Sequence, residues 1–308
     1  VKQLWTEKYR PKKVDEYVFR DDAQKKQVIQ WIEERTIPHV LLSGNAGTGK
    51  TTLAKVLINE LEVNELDFLE INASRTNSVD DVRDRIVNFV QMIPFGKFKV
   101  VLLDECDYLS LNGQAALRGV MEEYHDTARF ILTCNYPNKI IPALHSRCQG
   151  FHINKIDSVE YTARVAQILI NEQVNFDLEV LDTYVKVAYP DLRKCINLLQ
   201  QNTNKNTLLI PDSGDKSEKD WRIDMVELFK SGKIHDARKL VCENARNEEI
   251  EEIYRWLYTN HELFGYDDNS RDQAILLIAQ GLEKHALVAD AEINLSATLI
   301  RLARNLEK

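Results

Sequence analysis

No apolar run in the sequence approaches the ~18 residues that a membrane-crossing helix needs. The 308 residues also contain no internal repeat and no low-complexity tract. Val1–Arg10 is charged and lacks an apolar stretch, so no secretory leader is expected there. Cysteine is sparse: five residues, at 106, 134, 148, 195 and 242, with no C-x-x-C spacing. An odd, scattered set argues against a disulfide framework or a cysteine-based zinc site, and favours a reducing compartment. The seven histidines form no H-x-x-x-H pair, so no transition-metal site is expected. Basic charge is not in excess either, the net charge being −8. Residues 1–155 balance at 21 basic and 21 acidic side chains, whereas 156–308 hold 19 and 27. No long-range field would draw in nucleic acid, so any such binding must rest on local geometry.

What is present is an ordinary globular composition, 44% hydrophobic and 29% charged. At roughly 100–200 residues per domain the chain holds two or three domains. Five short β-type runs occupy the first half: His39–Ser43, Asp67–Asn72, Lys99–Asp104, Arg129–Asn135 and Gly150–Ile153. Most are nearly continuous in Val, Ile, Leu and Phe, as strands buried on both faces are. Helical patterns at Thr51–Leu61, Val79–Gln91 and Gln114–Tyr124 separate them. The alternation predicts an α/β domain over 1–155, a parallel five-stranded sheet with helices on both faces. Beyond residue 155 the pattern turns helical, at Ser158–Asn171, Leu178–Val187 and Asp191–Gln200, giving a small helical domain over 156–205. The polar cluster Asn202–Lys219 reads as a loop, with a linker over 206–219. From Trp221 apolar residues recur at spacings of three and four, predicting an all-α domain over 220–308.

Gly44-Asn45-Ala46-Gly47-Thr48-Gly49-Lys50-Thr51 matches G-x-x-x-x-G-K-[ST] between a predicted strand and a predicted helix. The glycines let backbone N–H groups wrap a phosphate, and the helix start, with Thr52 beside Thr51, adds partial positive charge. Lys50 is expected to reach the β- and γ-phosphates and the Thr51 hydroxyl to hold Mg²⁺. Val100-Val101-Leu102-Leu103 runs into Asp104-Glu105, which puts two acids at the rim where ligands bind in such sheets. Asp104 suits the metal and Glu105 suits the attacking water. Asn135 ends the next strand, where an amide could hold the water or touch the γ-phosphate. It also fits an ordinary Asn-Tyr-Pro turn.

Further segments resemble the small subunits of sliding-clamp loaders, replication factor C and its archaeal and phage equivalents. Leu4-Trp5-Thr6-Glu7-Lys8-Tyr9-Arg10-Pro11 is similar to their E-K-Y-R-P entry segment, and Asp104-Glu105-Cys106-Asp107 to their D-E-x-D box. Ser146-Arg147-Cys148 resembles their S-R-C signature. Asp191-Leu192-Arg193 with Asn197-Leu198-Leu199 resembles their arginine-bearing lid helix. The likeness spans about residues 4–200. It implies an AAA+ module with a helical lid and an α-helical collar that joins subunits, taking ATP and Mg²⁺. It further implies that Lys8, Tyr9, Arg10 and Val18 frame the adenine. Arg147 would be an arginine finger acting in trans on a neighbour's nucleotide, although alone it reads as a surface arginine. Arg193 would couple ATP to lid closure.

The implied partners are a ring-shaped sliding clamp, primer–template DNA held by its backbone, and other loader subunits in a pentameric assembly. The implied setting is cytoplasmic, in the host if viral, or nuclear if eukaryotic. Two helix starts match the DNA-tracking positions: Ser78 and Val79 leading to Arg83, and Asn112 and Gly113 leading to Arg118. Asp80, Asp81 and Asp84 compete for the first start. Gly119 stands where the family usually has a second basic residue, so Arg118 could instead link the two sites within the protein. Met92 and Phe95, in the apolar loop Met92-Ile93-Pro94-Phe95-Gly96, are candidate clamp anchors unless they fold back onto the core. Asn45 and Ala46 stand where relatives often have proline, which implies a change in loop stiffness. Two rival functions remain: another DNA-remodelling AAA+ ATPase (a helicase loader or branch-migration motor), or a subunit that holds nucleotide only structurally.

Overall fold

The computed structural model of the chain describes residues 3–75, 79–153, 156–209, 221–245, 249–285, 288 and 290–306, with the backbone alone at 79–81. Its centre is a sheet of five strands: β1 (Val40–Ser43), β2 (Phe68–Asn72), β3 (Lys99–Asp104), β4 (Ala128–Cys134) and β5 (Gln149–His152). All pairings are parallel, in the order β2-β3-β4-β1-β5. Each strand lies within a residue of its expected bounds. Successive side chains of a strand face opposite ways. Val101 and Leu103 therefore join one core with Ile71, Ile86 and Leu117, while Val100 and Leu102 join the other with Val28, Leu53 and Leu57. Burial on both faces is why these runs are apolar without alternation.

The helices of the first half are α1 (Trp5–Lys8), α2 (Asp22–Glu33), α3 (Lys50–Glu60), α4 (Val79–Val90), α5 (Leu111–Glu123) and α6 (Pro142–His145). α5 starts three residues before its apolar pattern, because the Ser110 hydroxyl caps it by accepting from the Gly113 N–H at 3.2 Å. Then come α7 (Ser158–Asn171), capped by Asp157, α8 (Leu178–Ala188) and α9 (Leu192–Gln201).

The chain divides into two compact units. One comprises Val1–Glu172 with Ala188–Gln201, and the other Gln173–Val187 with Asn202–Lys308. The three helices expected as a lid are thus shared out: α7 and α9 lie in the first unit, α8 in the second. The second unit also holds α10 (Trp221–Lys230), α11 (Ile234–Asn244), α12 (Ile250–Thr259), α13 (Asp268–His285) and α14 (Ala291–Leu306). Phe229 stacks on Trp256 with ring centroids 5.5 Å apart and meets Phe264 edge-on at 5.2 Å.

The segment read as a loop from Asn202 opens instead with a hairpin, β6 (Thr203–Asn204) and β7 (Thr207–Leu208). Its turn residues Lys205 and Asn206 have φ of 45° and 59°, the left-handed pair that a two-residue hairpin turn requires. The rest of the expected linker, from 210 to 219, lies outside the described residues. No helix among the described residues is long and apolar enough to cross a membrane.

Candidate functional site

The site gathers at the C-terminal edge of the sheet. β1 ends at Ser43, and the loop from Gly44 to Gly49 leads directly into α3. Gly49 sits at φ +94° and Gly47 at φ +73°, conformations that only glycine adopts freely. A methyl group on Gly47 would also overlap the carboxylate of Asp191, so the loop and the start of α9 fit only with hydrogen there. Lys50 is buried and donates to the carbonyls of Gly44 at 2.9 Å and Asn45 at 2.6 Å. Thr48 Oγ1 donates to the same Asn45 carbonyl at 2.9 Å. Burial pushes the Lys50 ammonium below its ordinary pKa, against the fields of Cys134, Asp104 and Asp107. An anion entering the loop would relieve that cost. The loop is thus a cradle that a phosphate fits.

The predicted acids stand beside it. Asp104 Oδ1 accepts from Thr51 Oγ1 at 2.8 Å and from Thr133 Oγ1 at 2.6 Å. The Thr133 hydroxyl also accepts from the Glu105 N–H at 2.9 Å. One chain of hydrogen bonds therefore runs from α3 through β3 to β4. Glu105 has φ 57° and ψ 43°, a left-handed conformation in a non-glycine residue. Strain of this kind persists only where surrounding structure holds it, and Thr133 is one holder. Sequence reasoning missed Thr133, whose only signal was a hydroxyl one residue from the end of β4. Asn135 and Tyr136 donate their backbone N–H groups to Asp107 Oδ2, at 3.3 and 3.2 Å. That places Asn135 at the same edge as Asp104 and Glu105.

An open cleft continues from the loop, part apolar wall and part polar floor. Of the residues expected around an adenine, Tyr9, Arg10 and Val18 line it, with Gly47, Thr48, Gly49, Thr52 and Arg193. Lys8 lies elsewhere: its ammonium pairs with Glu172 at 2.6 Å, which the Tyr9 hydroxyl also meets at 2.8 Å. Ile156, Leu192 and Ile196 supply an apolar wall. Arg164 lines the cleft too and donates to the Tyr9 carbonyl at 3.0 Å. It carried no sequence signal. Burial raises the pKa of the Asp191 carboxyl next to the loop, opposed by the Lys194 and Arg193 N–H groups and their charges.

The remaining candidates lie away from the cleft. Arg147 precedes β5. It forms an ion pair with Glu122 of α5 and donates to the Ala143 carbonyl at 3.2 Å. Arg118 Nε meets the same Glu122 oxygen at 3.2 Å. Asn112 is exposed, but the Gly113 N–H is already taken by Ser110, so that amide is not free for a phosphate. Arg83 is exposed on α4, which packs against α5. Ser78 and the Val79 side chain lie outside the described residues. Met92 and Phe95 do not fold back: they are 56% and 73% exposed, and Ile93 between them is 88% exposed. The loop is pinned from below by Asp67, which accepts from the Phe95 and Gly96 N–H groups at 3.0 and 2.7 Å and pairs with buried Lys99.

Residues 40–154 match the family described as ATPases associated with various cellular activities (AAA). A replication factor C small subunit from Sulfolobus acidocaldarius is 35% identical over 99% of this chain and 97% of its own length. One from Methanococcus vannielii is 37% identical over 76% of this chain and 77% of its own. Among solved structures, the Thermotoga maritima RuvB Holliday junction branch migration motor superimposes with a TM-score of 0.55 and 18% identity. Each chain is covered to 80%. That likeness concerns the fold. With phosphate loop, acid pair and near full-length similarity in agreement, the chain belongs to the replication factor C small-subunit family, the ATPase subunits of clamp loaders.

Proposed function

We propose that this subunit uses ATP to open a ring-shaped sliding clamp and place it on primer–template DNA, within a pentamer of loader subunits. The observation that carries the reading is the hydrogen-bond chain Thr51–Asp104–Thr133–Glu105 beside the Lys50 cradle. ATP would lie with its phosphates on the loop backbone and Lys50, and its base among Tyr9, Val18, Ile156 and Ile196. Mg²⁺ fits Thr51 and Asp104. Their oxygens lie 2.8 Å apart and are hard donors of the kind this ion takes. When bound, it would offset charge on the β- and γ-phosphates. Glu105 would accept a proton from water attacking the γ-phosphorus as the bond to the β-phosphate oxygen breaks. Asn135 would orient that water, and Arg193 would report phosphate occupancy to α9.

Arg147 fits a role in trans. Gln149 pairs with Val40 at the start of β1, so Arg147 precedes the sheet edge from which its own phosphate loop is farthest. From that pair, the four steps of strand register between Val40 and Gly44, at about 3.3 Å each, amount to roughly 13 Å before the turn that holds Arg147 is added, beyond the reach of its side chain. A neighbour's γ-phosphate is then its natural target, where an arginine contributes roughly 10³–10⁵ in rate in other NTPases. The exposed Met92–Phe95 loop supports clamp docking, and Arg83, exposed on α4, supports backbone contacts to DNA.

The test is ATP turnover by the purified assembly, with and without primer–template DNA and clamp. Stimulation that needs both supports the loader. Stimulation by DNA regardless of clamp favours a remodelling motor. ATP retention without turnover would leave only a structural role.

A further inference from the structure

Arg147 is held by more than its backbone. Its guanidinium forms an ion pair with Glu122 Oε1, and Nη1 donates to the Ala143 carbonyl at 3.2 Å. Glu122 is held as well by Arg118, one helical turn earlier on α5, whose Nε lies 3.2 Å from the same oxygen. All three side chains are partly exposed, at 47% for Arg118, 39% for Glu122 and 31% for Arg147. None of them belongs to the nucleotide cleft described above. A free arginine would lose much rotamer entropy on reaching a phosphate, and a planar guanidinium must also arrive in the correct plane. A carboxylate already holding one edge of it removes part of both costs.

We propose that Glu122 is the positioning residue of the arginine finger, presetting Arg147 for the nucleotide of a neighbouring subunit. This rests on the trans role given to Arg147 above. α5 supports the arrangement mechanically. It begins at the phosphate edge of the sheet, after Ser110, and delivers Glu122 in its last turn toward the opposite edge, where Arg147 stands. The pairing needs reach more than charge, since the contact is a directed one to a single oxygen. A shorter acid should therefore fail where a neutral amide of equal length succeeds.

The experiment uses the whole assembly with DNA and clamp, and reads kcat, KM and nucleotide affinity separately. Glu122→Ala should lower kcat about tenfold, in line with the sensitivity of catalysis to small misplacements, with KM and ATP affinity unchanged. Glu122→Gln should recover most of the rate, and Glu122→Asp should stay slow. In an Arg147→Ala background Glu122→Ala should change nothing further. Wild-type kcat in Glu122→Ala while Arg147→Ala is slow overturns the proposal and leaves the trans finger standing. So do losses that multiply fully in the double variant. Wild-type kcat in Arg147→Ala removes the finger itself, and the proposal with it. If Glu122→Ala does not assemble, the Asp and Gln variants carry the test, and Asp faster than Gln refutes it.

Discussion

Thr133→Val removes one hydroxyl at the centre of the site and almost nothing else. Thr133 is 1% exposed and valine has nearly its shape, so no cavity opens. Two hydrogen bonds are lost: the 2.6 Å donation to Asp104 and the 2.9 Å bond from the Glu105 N–H. The first is charge-assisted and contributes about 1.5–3 kcal/mol. The second also restrains Glu105 in its left-handed conformation, which costs roughly 1–2 kcal/mol. Partial relaxation and solvent access at Glu105 leave a net loss of about 2 kcal/mol, or roughly 4–8 °C in Tm for a domain of this size. The larger effect is on rate. Glu105 and Asp104 are no longer fixed relative to each other, and kcat should fall about 10²-fold. The Lys50 cradle is untouched, so fluorescent-ATP affinity should stay within about threefold. Thr133→Ser restores the hydroxyl and should restore kcat. Wild-type turnover in the valine variant, or a serine variant as slow as valine, would show that the hydroxyl does not organise the acids.

Glu105→Gln should retain ATP binding and lose roughly 10²–10⁴ in turnover, measured by single-turnover phosphate release; normal turnover would remove Glu105 from the chemistry. Ile93→Asp, at an 88% exposed position, should leave stability within about 0.5 kcal/mol and weaken clamp capture; unchanged capture would exclude the loop tip from the contact. His39 accepts from the Phe130 N–H at 3.2 Å, and burial, with the charges of Arg129 and His125, lowers its pKa to about 4. The unfolded chain takes up this proton near pH 6.5. Stability is therefore complete above about 6.5 and lost as pH falls toward 4. With allowance for partial exposure the loss is about 1–2 kcal/mol between pH 7 and 5. Urea unfolding should show that slope in the parent and lose it in His39→Gln; a slope unchanged by the substitution would acquit His39.

The strands were legible because burial on both faces writes continuous apolar runs, and the phosphate loop because its glycines answer to backbone angles that no other residue adopts freely. Legibility failed where contacts join residues far apart in sequence. Arg164 reaches the cleft because α7 lies beside the entry segment, and its only marker is a hydrogen bond to the Tyr9 carbonyl. Thr133 looked like any β-branched residue in a strand. The hairpin Thr203–Leu208 hid because Lys205-Asn206 is a weaker turn signal than Asn-Gly. The apolar pattern of α5 sets in only at Gln114 because Gly113 dilutes it, whereas the resemblance already marks a helix start at Asn112 and Gly113, which Ser110 caps.

Parallel topology explains how one small unit can present separate surfaces at the two edges of its sheet. Every loop that follows a strand emerges at one edge of the sheet, and every segment that precedes a strand enters at the other. The phosphate loop, Asp104-Glu105 and Asn135 follow β1, β3 and β4, so they meet on one edge without long-range sequence signals. Met92–Phe95 precedes β3 and Arg147 precedes β5, so both are carried to the opposite edge. An arginine placed there is useful to a nucleotide only if another subunit brings one. α5 spans the interval between the edges, with Ser110 at one end and Glu122 at the other, so movement of this helix would shift the phosphate side and the Arg147 pair together. A helix-breaking proline at Gly119, which is exposed and has open space around its Cβ position, should therefore uncouple DNA from turnover at unchanged ATP affinity. Persistence of DNA-stimulated turnover in Gly119→Pro would mean that the two edges communicate by another route.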